Sequence, residues 1–270
     1  MQCRLPKIYK IERLPVIGIE LNNMSWEDIR KISDAGLASS YFKVGDRKAV
    51  KLNGTVGSLS LNGTYYCYII GIDHNSAIEG TNRIHFQFGF DALYGGNHIA
   101  FVDRGYNNTK TSGSWFNMNN AQNNAGGWNS SLMRTSICPA FKNAMPSDLQ
   151  AVLKAVTKYS DNAGGGSDTA SSVTATTDDI FLLAEWEVFG ARSCANSAEQ
   201  NYQAKYAYYS AGSSTTPIRY HHSATGSYAG WWLRSVYSGS SGSFCGVYAS
   251  GSAGHNSANY SLGFAPCFCV

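Results

Sequence analysis

The last 36 residues of this 270-residue chain carry no charged side chain: all 21 Lys and Arg and all 18 Asp and Glu fall at or before Arg234. The plain explanation of an uncharged stretch of that length is a Ser/Gly-rich low-complexity tail. Residues 235–270 also lack Gln, Met and Trp. The missing types Lys, Glu, Gln, Met and Trp occupy 35 of the first 234 positions, so about five would be expected here by proportion. Those five are the types whose codons end only in a purine. Every type present in 235–270 can be written with a final pyrimidine.

The same residues suit molecular recognition. Tyr offers a large, rigid, amphipathic surface at low entropic cost, and Ser, Gly and Asn offer adaptable hydrogen bonding. Val247, Gly251, Ala253, Asn256 and Ala258 are mostly small or apolar and interleave with Tyr248, Ser250, Ser252, His255 and Ser257. One set is expected to be held by a scaffold and the other displayed. The expected ligand-contacting surface comprises Tyr237, Ser238, Ser240, Ser241, Tyr248, Ser250, Ser252, His255, Ser257, Asn259, Tyr260, Leu262 and Phe264, with Tyr248 and Tyr260 as anchors. Gly251, Gly263 and Pro266 are expected to set the bends.

The chain is long enough for a sizeable core. Its net charge of +3 is small and dispersed, which argues against nucleic acid as a partner. No apolar run reaches the 18 residues of a membrane span. The first twenty residues have no unbroken apolar segment of the secretory type. The seven cysteines are irregularly spaced and read as buried, reduced thiols.

Ser25 opens a helix as N-cap, with Asp28 at N3 and Met24 stapled on Ile29; Ile29 and Ile32 mark its buried side and Gly36 its stop. Strands are expected at 48–52, 65–72, 83–88 and 180–184. In the third, Ile84, Phe86 and Phe88 share one face, which leaves His85 toward solvent. Residues 103–127 read as a surface excursion and 163–177 as a flexible loop. Leu149, Val152, Leu153 and Val156 follow a helical period from Ser147. Helices and antiparallel strands without a βαβ rhythm make the class α+β.

Catalytic signatures are scarce: no P-loop, dinucleotide fingerprint, HExxH or GxSxG occurs. Asp73 and His74 read as a turn after a strand. His221 and His222 are adjacent and point apart. Glu185 and Glu187, two apart after a strand, could face one side as glycosidase carboxylates do, although charged strand flanks explain them more simply. Cys267 and Cys269 share a strand face, with no further metal ligands apparent. No cofactor or metal is expected.

Several segments together resemble a family of bacterial and phage proteins known as a domain of unknown function, DUF6273. They are SerTrpGluAspIleArgLysIle (25–32), TyrPheLysValGlyAsp (41–46), IleIleGlyIleAspHis (69–74), GlyGlyTrpAsnSerSerLeuMetArg (126–134), ProSerAspLeuGln (146–150), AspIlePheLeuLeuAla (179–184), GluValPheGly (187–190), TrpTrpLeuArgSer (231–235) and GlyPheAlaProCysPhe (263–268). Members resemble the variable target proteins of diversity-generating retroelements, in which adenine-specific copying errors rewrite Asn codons at the 3′ end of the gene. The resemblance implies a C-type-lectin-like fold over 24–270 with a variable region at 235–270. The calcium-lectin triplets are absent, and Cys267 and Cys269 fit poorly the metal-binding pair of formylglycine-generating enzymes, which share that general fold.

The expectation is a non-enzymatic binding protein, a phage tail receptor-binding or adhesion component recognising a host-cell surface receptor. Residues 1–23, rich in Leu and Ile, would attach it to other virion proteins or to further copies in a homo-oligomer, a trimer among the possibilities. The virion is the expected location and the bacterial surface the alternative. A carbohydrate-active enzyme using Glu185 or Glu187, and a structural virion protein with an invariant tail, are the competing readings. Trp231, Trp232, Leu233 and Arg234 are expected as scaffold beneath the binding face.

Overall fold

In the computed structural model, which describes residues 14–90, 98–102, 116–222 and 224–270, the chain first lays a helix on a sheet. Helix α1 (Trp26–Asp34) begins as its sequence predicts. Ser25 Oγ accepts from Asp28 N at 3.1 Å, and Met24, Ile29 and Ile32 are buried. It closes with Gly36 N donating to Ser33 O and Leu37 N to Ile32 O, a Schellman ending. A short α2 (Ala38–Tyr41) leads into the long hairpin of β1 (Arg47–Val56) and β2 (Leu59–Ile72). Then follow α3 (Ser76–Glu79), β3 (Ile84–Phe90) and β4 (Ile99–Ala100).

The middle of the chain supplies short elements: α4 (Gly127–Ser130), a π-helical turn (Met133–Ile137), α5 (Cys138–Ala144) and α6 (Ser147–Gln150). Next come β5 (Val156–Asp161), β6 (Val173–Asp178), β7 (Ile180–Phe181), α7 (Glu185–Phe189) and α8 (Ala207–Ala211). The remainder is β8 (Arg219–His221), β9 (Ala224–Ala229), β10 (Trp231–Val236), β11 (Ser243–Val247), β12 (Ala253–Ser257) and β13 (Cys267–Cys269). One antiparallel sheet has the order β1-β2-β3-β13-β7. A second is β10-β11-β12, a third β4-β8-β9 with β4 parallel to β8, and a fourth β5-β6. The class is α+β.

Both faces of the five-stranded sheet are covered, and this decides the fate of several residues. On one face Phe86 stacks on Phe268 at 5.1 Å, Trp26 meets Phe86 edge-on at 5.7 Å, and Phe88 meets Phe141 at 5.0 Å. The other face is buried and polar. Gln87 Oε1 accepts from Tyr68 OH and Tyr209 OH, both at 2.6 Å, and His85 Nδ1 lies 3.0 Å from Tyr206 OH. His85 is therefore fully buried and not solvent-facing. Alternation assigned its face correctly, but Tyr206 and α8 cover the side that would otherwise meet water. Cys267 and Cys269 do share this face, opposite Gln87 and His85.

Three further expectations change. The helix from Ser147 lasts one turn, because Lys154 N donates to Cys269 O and Val156 pairs with Asp178 in a strand. Thr-rich 173–178 is strand β6; its β-branched residues suit a half-buried sheet. Of the excursion at 103–127, residues 103–115 lie outside the described residues, while Phe116, Asn117, Met118 and Asn124 are buried. Among the described residues no helix is long and apolar enough to cross a membrane.

Candidate functional site

The uncharged segment is packed rather than loose: Phe244, Cys245, Val247 and residues 261–270 are buried. Its longest exposed run is at the turn joining β11 to β12, closed by Tyr248 N to Ser252 O and Gly251 N to Tyr248 O, both 2.8 Å. Gly251 has φ +87°, and a Cβ there would meet Ile218 Cγ1 at 2.8 Å, so both backbone and space require glycine. Tyr248 lies across Gly254, where a Cβ would fall 2.1 Å from the ring. The tyrosine is nonetheless 41% exposed, and Ser250 and Ser252 are exposed beside it.

A cleft lies on either side of this turn. One of about 530 Å³ separates Ser250–Ala253 from the 212–217 segment, with Phe189 and Lys205 in its wall. The other, about 230 Å³, is lined by His221, Tyr228, Tyr248, Ala249 and Asn256. Tyr228 is 52% exposed and packs on Tyr220 with ring centroids 4.8 Å apart. Sequence reasoning missed Tyr228 and Lys205; both lie before the uncharged segment, so its composition gave no signal for them.

The other expected contact residues divide. Tyr237 stacks on His255 at 3.9 Å, and both are partly exposed. Ser241 is exposed; Ser238, Ser240, Ser257, Asn259 and Tyr260 are half-buried, and Tyr260 packs against the core. Ser238 Oγ donates to Cys194 O at 3.1 Å. Leu262 is buried and reaches only the wall of the smaller cleft, and Phe264 does not belong to the surface at all. Phe264 stacks on Phe116 at 5.4 Å and meets Phe141 edge-on at 5.3 Å. Past Asn259 the chain turns inward, so alternation no longer separates displayed from buried positions.

What holds this segment is mainly backbone. Trp232 N donates to Gly263 O, Leu262 N to Phe116 O, Asn119 N to Ala258 O, and Phe101 and Phe264 exchange both bonds. Asn124 Nδ2 donates to Ser240 O and Ser243 O at 2.8 Å. Trp231, Trp232, Leu233 and Arg234 are all fully buried, as expected of scaffold. Trp231 Nε1 donates to Pro217 O at 2.9 Å and Trp232 Nε1 to Phe116 O at 2.7 Å.

Beneath the sheet lies a buried ionic network. Arg234 reaches Glu187 Oε1 at 2.9 Å, Ser160 Oγ at 2.9 Å and Leu182 O at 2.8 Å. Lys158 Nζ donates to Glu79 Oε2 at 2.6 Å, Glu187 Oε1 at 3.0 Å and Tyr206 OH at 2.8 Å. Burial raises the Glu187 carboxyl's pKa, but Arg234 and Lys158 outweigh it and hold the group well below the usual carboxylate range. His74, Glu79 and Glu187 place donor atoms within 4.8 Å of one another, a spacing that could hold a metal. Both carboxylates there already bind the Lys158 ammonium, which supplies the positive charge. Burial lowers the His74 pKa to about 3, which leaves it neutral.

Glu185 and Glu187 sit on helix α7, not on a strand flank, so a two-residue spacing turns them apart. Glu185 accepts from the backbone N–H groups of Ser193, Cys194 and Ala195 at 2.8–3.1 Å. Both are fully buried and engaged, and neither faces a cleft as a glycosidase pair must. Asp73 and His74 form the expected turn, with Asp73 Oδ1 accepting from Arg83 N at 2.9 Å.

Burial raises the pKa of a third carboxyl, Glu199, to about 7, against hydrogen bonds from Ser235 Oγ (2.6 Å) and Asp161 N (2.9 Å). The folded state thus keeps a proton that the unfolded chain releases above the ordinary value of 4.5. Its contribution is complete below that value and is lost as pH rises toward 7. Urea unfolding should show stability falling between pH 5 and pH 8 by on the order of 2 kcal/mol from this group. Glu199→Gln should flatten the profile by that amount; an unchanged profile in the variant would refute the assignment.

The fold and site thus define an α+β protein that presents an uncharged hairpin, braced by backbone bonds, above a buried ionic network. The chain belongs to the family described as "Domain of unknown function (DUF6273)", whose model matches residues 106–270. The resemblances at 126–134, 146–150, 179–184, 187–190, 231–235 and 263–268 fall inside that match; those before residue 75 fall outside it. No curated protein and no solved structure matches the chain.

Proposed function

We propose that this is a non-enzymatic binding protein that recognises a receptor through the β11–β12 turn and its flanking clefts. In this reading it is a phage tail or adhesion component, its scaffold is C-type-lectin-like, and a retroelement diversifies the 235–270 region. The observation that carries the proposal is the division of labour within that region. Its backbone is held by backbone bonds and by Asn124, whereas Tyr248, Ser250 and Ser252 are exposed. A site that accepts many sequences needs a backbone whose geometry does not depend on the displayed side chains. The pyrimidine-writable composition supports the same reading.

Residues 1–23 would attach the domain to other virion proteins or to further copies, a trimer included. Within their described part, Val16 and Ile17 are strongly exposed apolar groups, which suits a docking role. Sequencing the gene in sibling isolates tests the proposal. Substitutions should concentrate at exposed positions of 237–260 and spare Trp231, Trp232 and Arg234. An invariant tail would instead favour a structural virion protein. Tyr248→Ala should weaken adsorption to host cells at least tenfold, the loss of one aromatic hot spot, with the melting temperature nearly unchanged.

A further inference from the structure

The smaller cleft beside the presenting turn, about 230 Å³, takes two aromatic residues of its wall from different elements. Tyr248 directly follows β11, and Tyr228 stands on β9. Each ring is held by its hydroxyl. Tyr248 OH donates to His255 O at 3.3 Å, and Tyr228 OH accepts from Tyr220 OH at 3.4 Å. Only a glycine at 254 lets the Tyr248 ring lie where it does. Both rings are nonetheless well exposed. The rest of the wall is uncharged: Val102 and Leu262 give it apolar surface, and no Lys, Arg, Asp or Glu lines it. Two polar side chains complete it. His221 is only 8% exposed, yet its Nδ1 has no hydrogen-bond partner among the described residues, which is costly for a buried polar atom. Asn256, half-buried in the same wall, offers an amide that both donates and accepts.

We infer that this cleft binds one neutral sugar ring of a cell-surface glycan, with Tyr228 and Tyr248 as its platforms and His221 and Asn256 as its polar contacts. The inference rests on the receptor-binding reading and names the ligand class for one of its clefts. A pyranose presents C–H bonds on its faces, and these are attracted to the electron-rich face of an aromatic ring. Its hydroxyls need donors and acceptors. The His221 Nδ1 and the Asn256 amide supply them, the histidine as donor or acceptor according to its tautomer.

Charge and size narrow the class further. An acidic sugar would find no cation in this wall, and a choline headgroup no carboxylate. The volume lies below the roughly 300–1,000 Å³ typical of pockets for drug-sized ligands, so it suits a single ring rather than a chain. Because the hydroxyl bonds and Gly254 already fix the aromatic rings, binding costs little side-chain entropy. No carboxylate stands in the wall to hold a calcium ion, so the binding is independent of calcium.

The test applies saturation-transfer NMR to the full chain in EDTA. The probes are the methyl glycosides of glucose, galactose, mannose and N-acetylglucosamine, beside N-acetylneuraminic acid and choline. The expected result is millimolar binding of at least one neutral glycoside, with transfer strongest at the C–H protons of its ring. Tyr228→Ala should weaken that binding at least about tenfold. The residue is 52% exposed, so the variant should keep its melting temperature. No transfer to any neutral glycoside, equal or stronger binding of the charged probes, or binding unchanged in Tyr228→Ala would each overturn the inference. Host-cell adsorption of the same variant separates it from the reading on which it rests. Glycoside binding lost with adsorption intact supports the sugar cleft and counts against the receptor role. Adsorption lost in a protein that binds no neutral glycoside keeps the receptor role and overturns the sugar.

Discussion

Glu187→Gln lowers the unfolding free energy by about 3–5 kcal/mol, the range for removing one partner of a buried ion pair. Urea unfolding at pH 7 measures it. The substitution leaves the fully buried Arg234 guanidinium without the carboxylate it pairs with and the Lys158 ammonium with only Glu79. It also turns an amide toward Ala184 N, which now donates to Glu187 Oε2 at 2.9 Å. The wild-type contribution has a defined pH window. The folded carboxyl's pKa is depressed from 4.5, so the stabilisation is present above that value and lost as pH falls toward the folded pKa. Glu187→Gln should therefore lose the acid-labile part of the wild-type profile. A cost below about 1 kcal/mol would show that the network is dispensable, as some buried ion pairs are.

Phe264→Ala costs a further kind of stability, about 3–5 kcal/mol for a buried aromatic truncated in a packed core. The ring lies among Phe116, Phe141 and Phe101, with little room for neighbours to collapse into the void. Tyr248→Ala, sixteen positions earlier in the same uncharged segment, should change stability by less than about 0.5 kcal/mol, as exposed sites do. Thermal unfolding of the two variants side by side checks the division between core and displayed face. Equal losses would mean that the turn at 248–252 carries structural weight and is a poor place to vary sequence.

Much of the scaffold was legible because its determinants are local. Ser25, Asp28, Met24 and Ile29 lie within one helical turn or two, and their cap and staple form as written. The aromatic run at 65–72 is a strand, and Trp231 through Arg234 are buried as two adjacent tryptophans and a lone terminal charge suggest. The site was legible in part. The uncharged stretch contains Tyr248, Ser250 and Ser252, the exposed residues of the proposed recognition turn. It could not point to Tyr228 or Lys205, which reach the clefts from other elements.

The errors share one cause. His85, Leu262 and Phe264 were assigned to solvent by alternation, a pattern that separates the two sides of a strand but does not say which side is covered. Tyr206, more than a hundred residues away, buries the His85 side, and Phe116 and Phe141 bury Phe264. Likewise Glu187, Lys158 and Arg234 look like unrelated charges in the chain and become one network only when α7, β5 and β10 converge. The helix cap, the strand-forming runs, the α+β class and the uncharged character of 235–270 are readable in the amino acids because they are properties of neighbouring residues. Which of those uncharged residues face water, and which charges neutralise one another in the interior, the tertiary structure alone decided, because burial and ion pairing depend on elements distant in sequence.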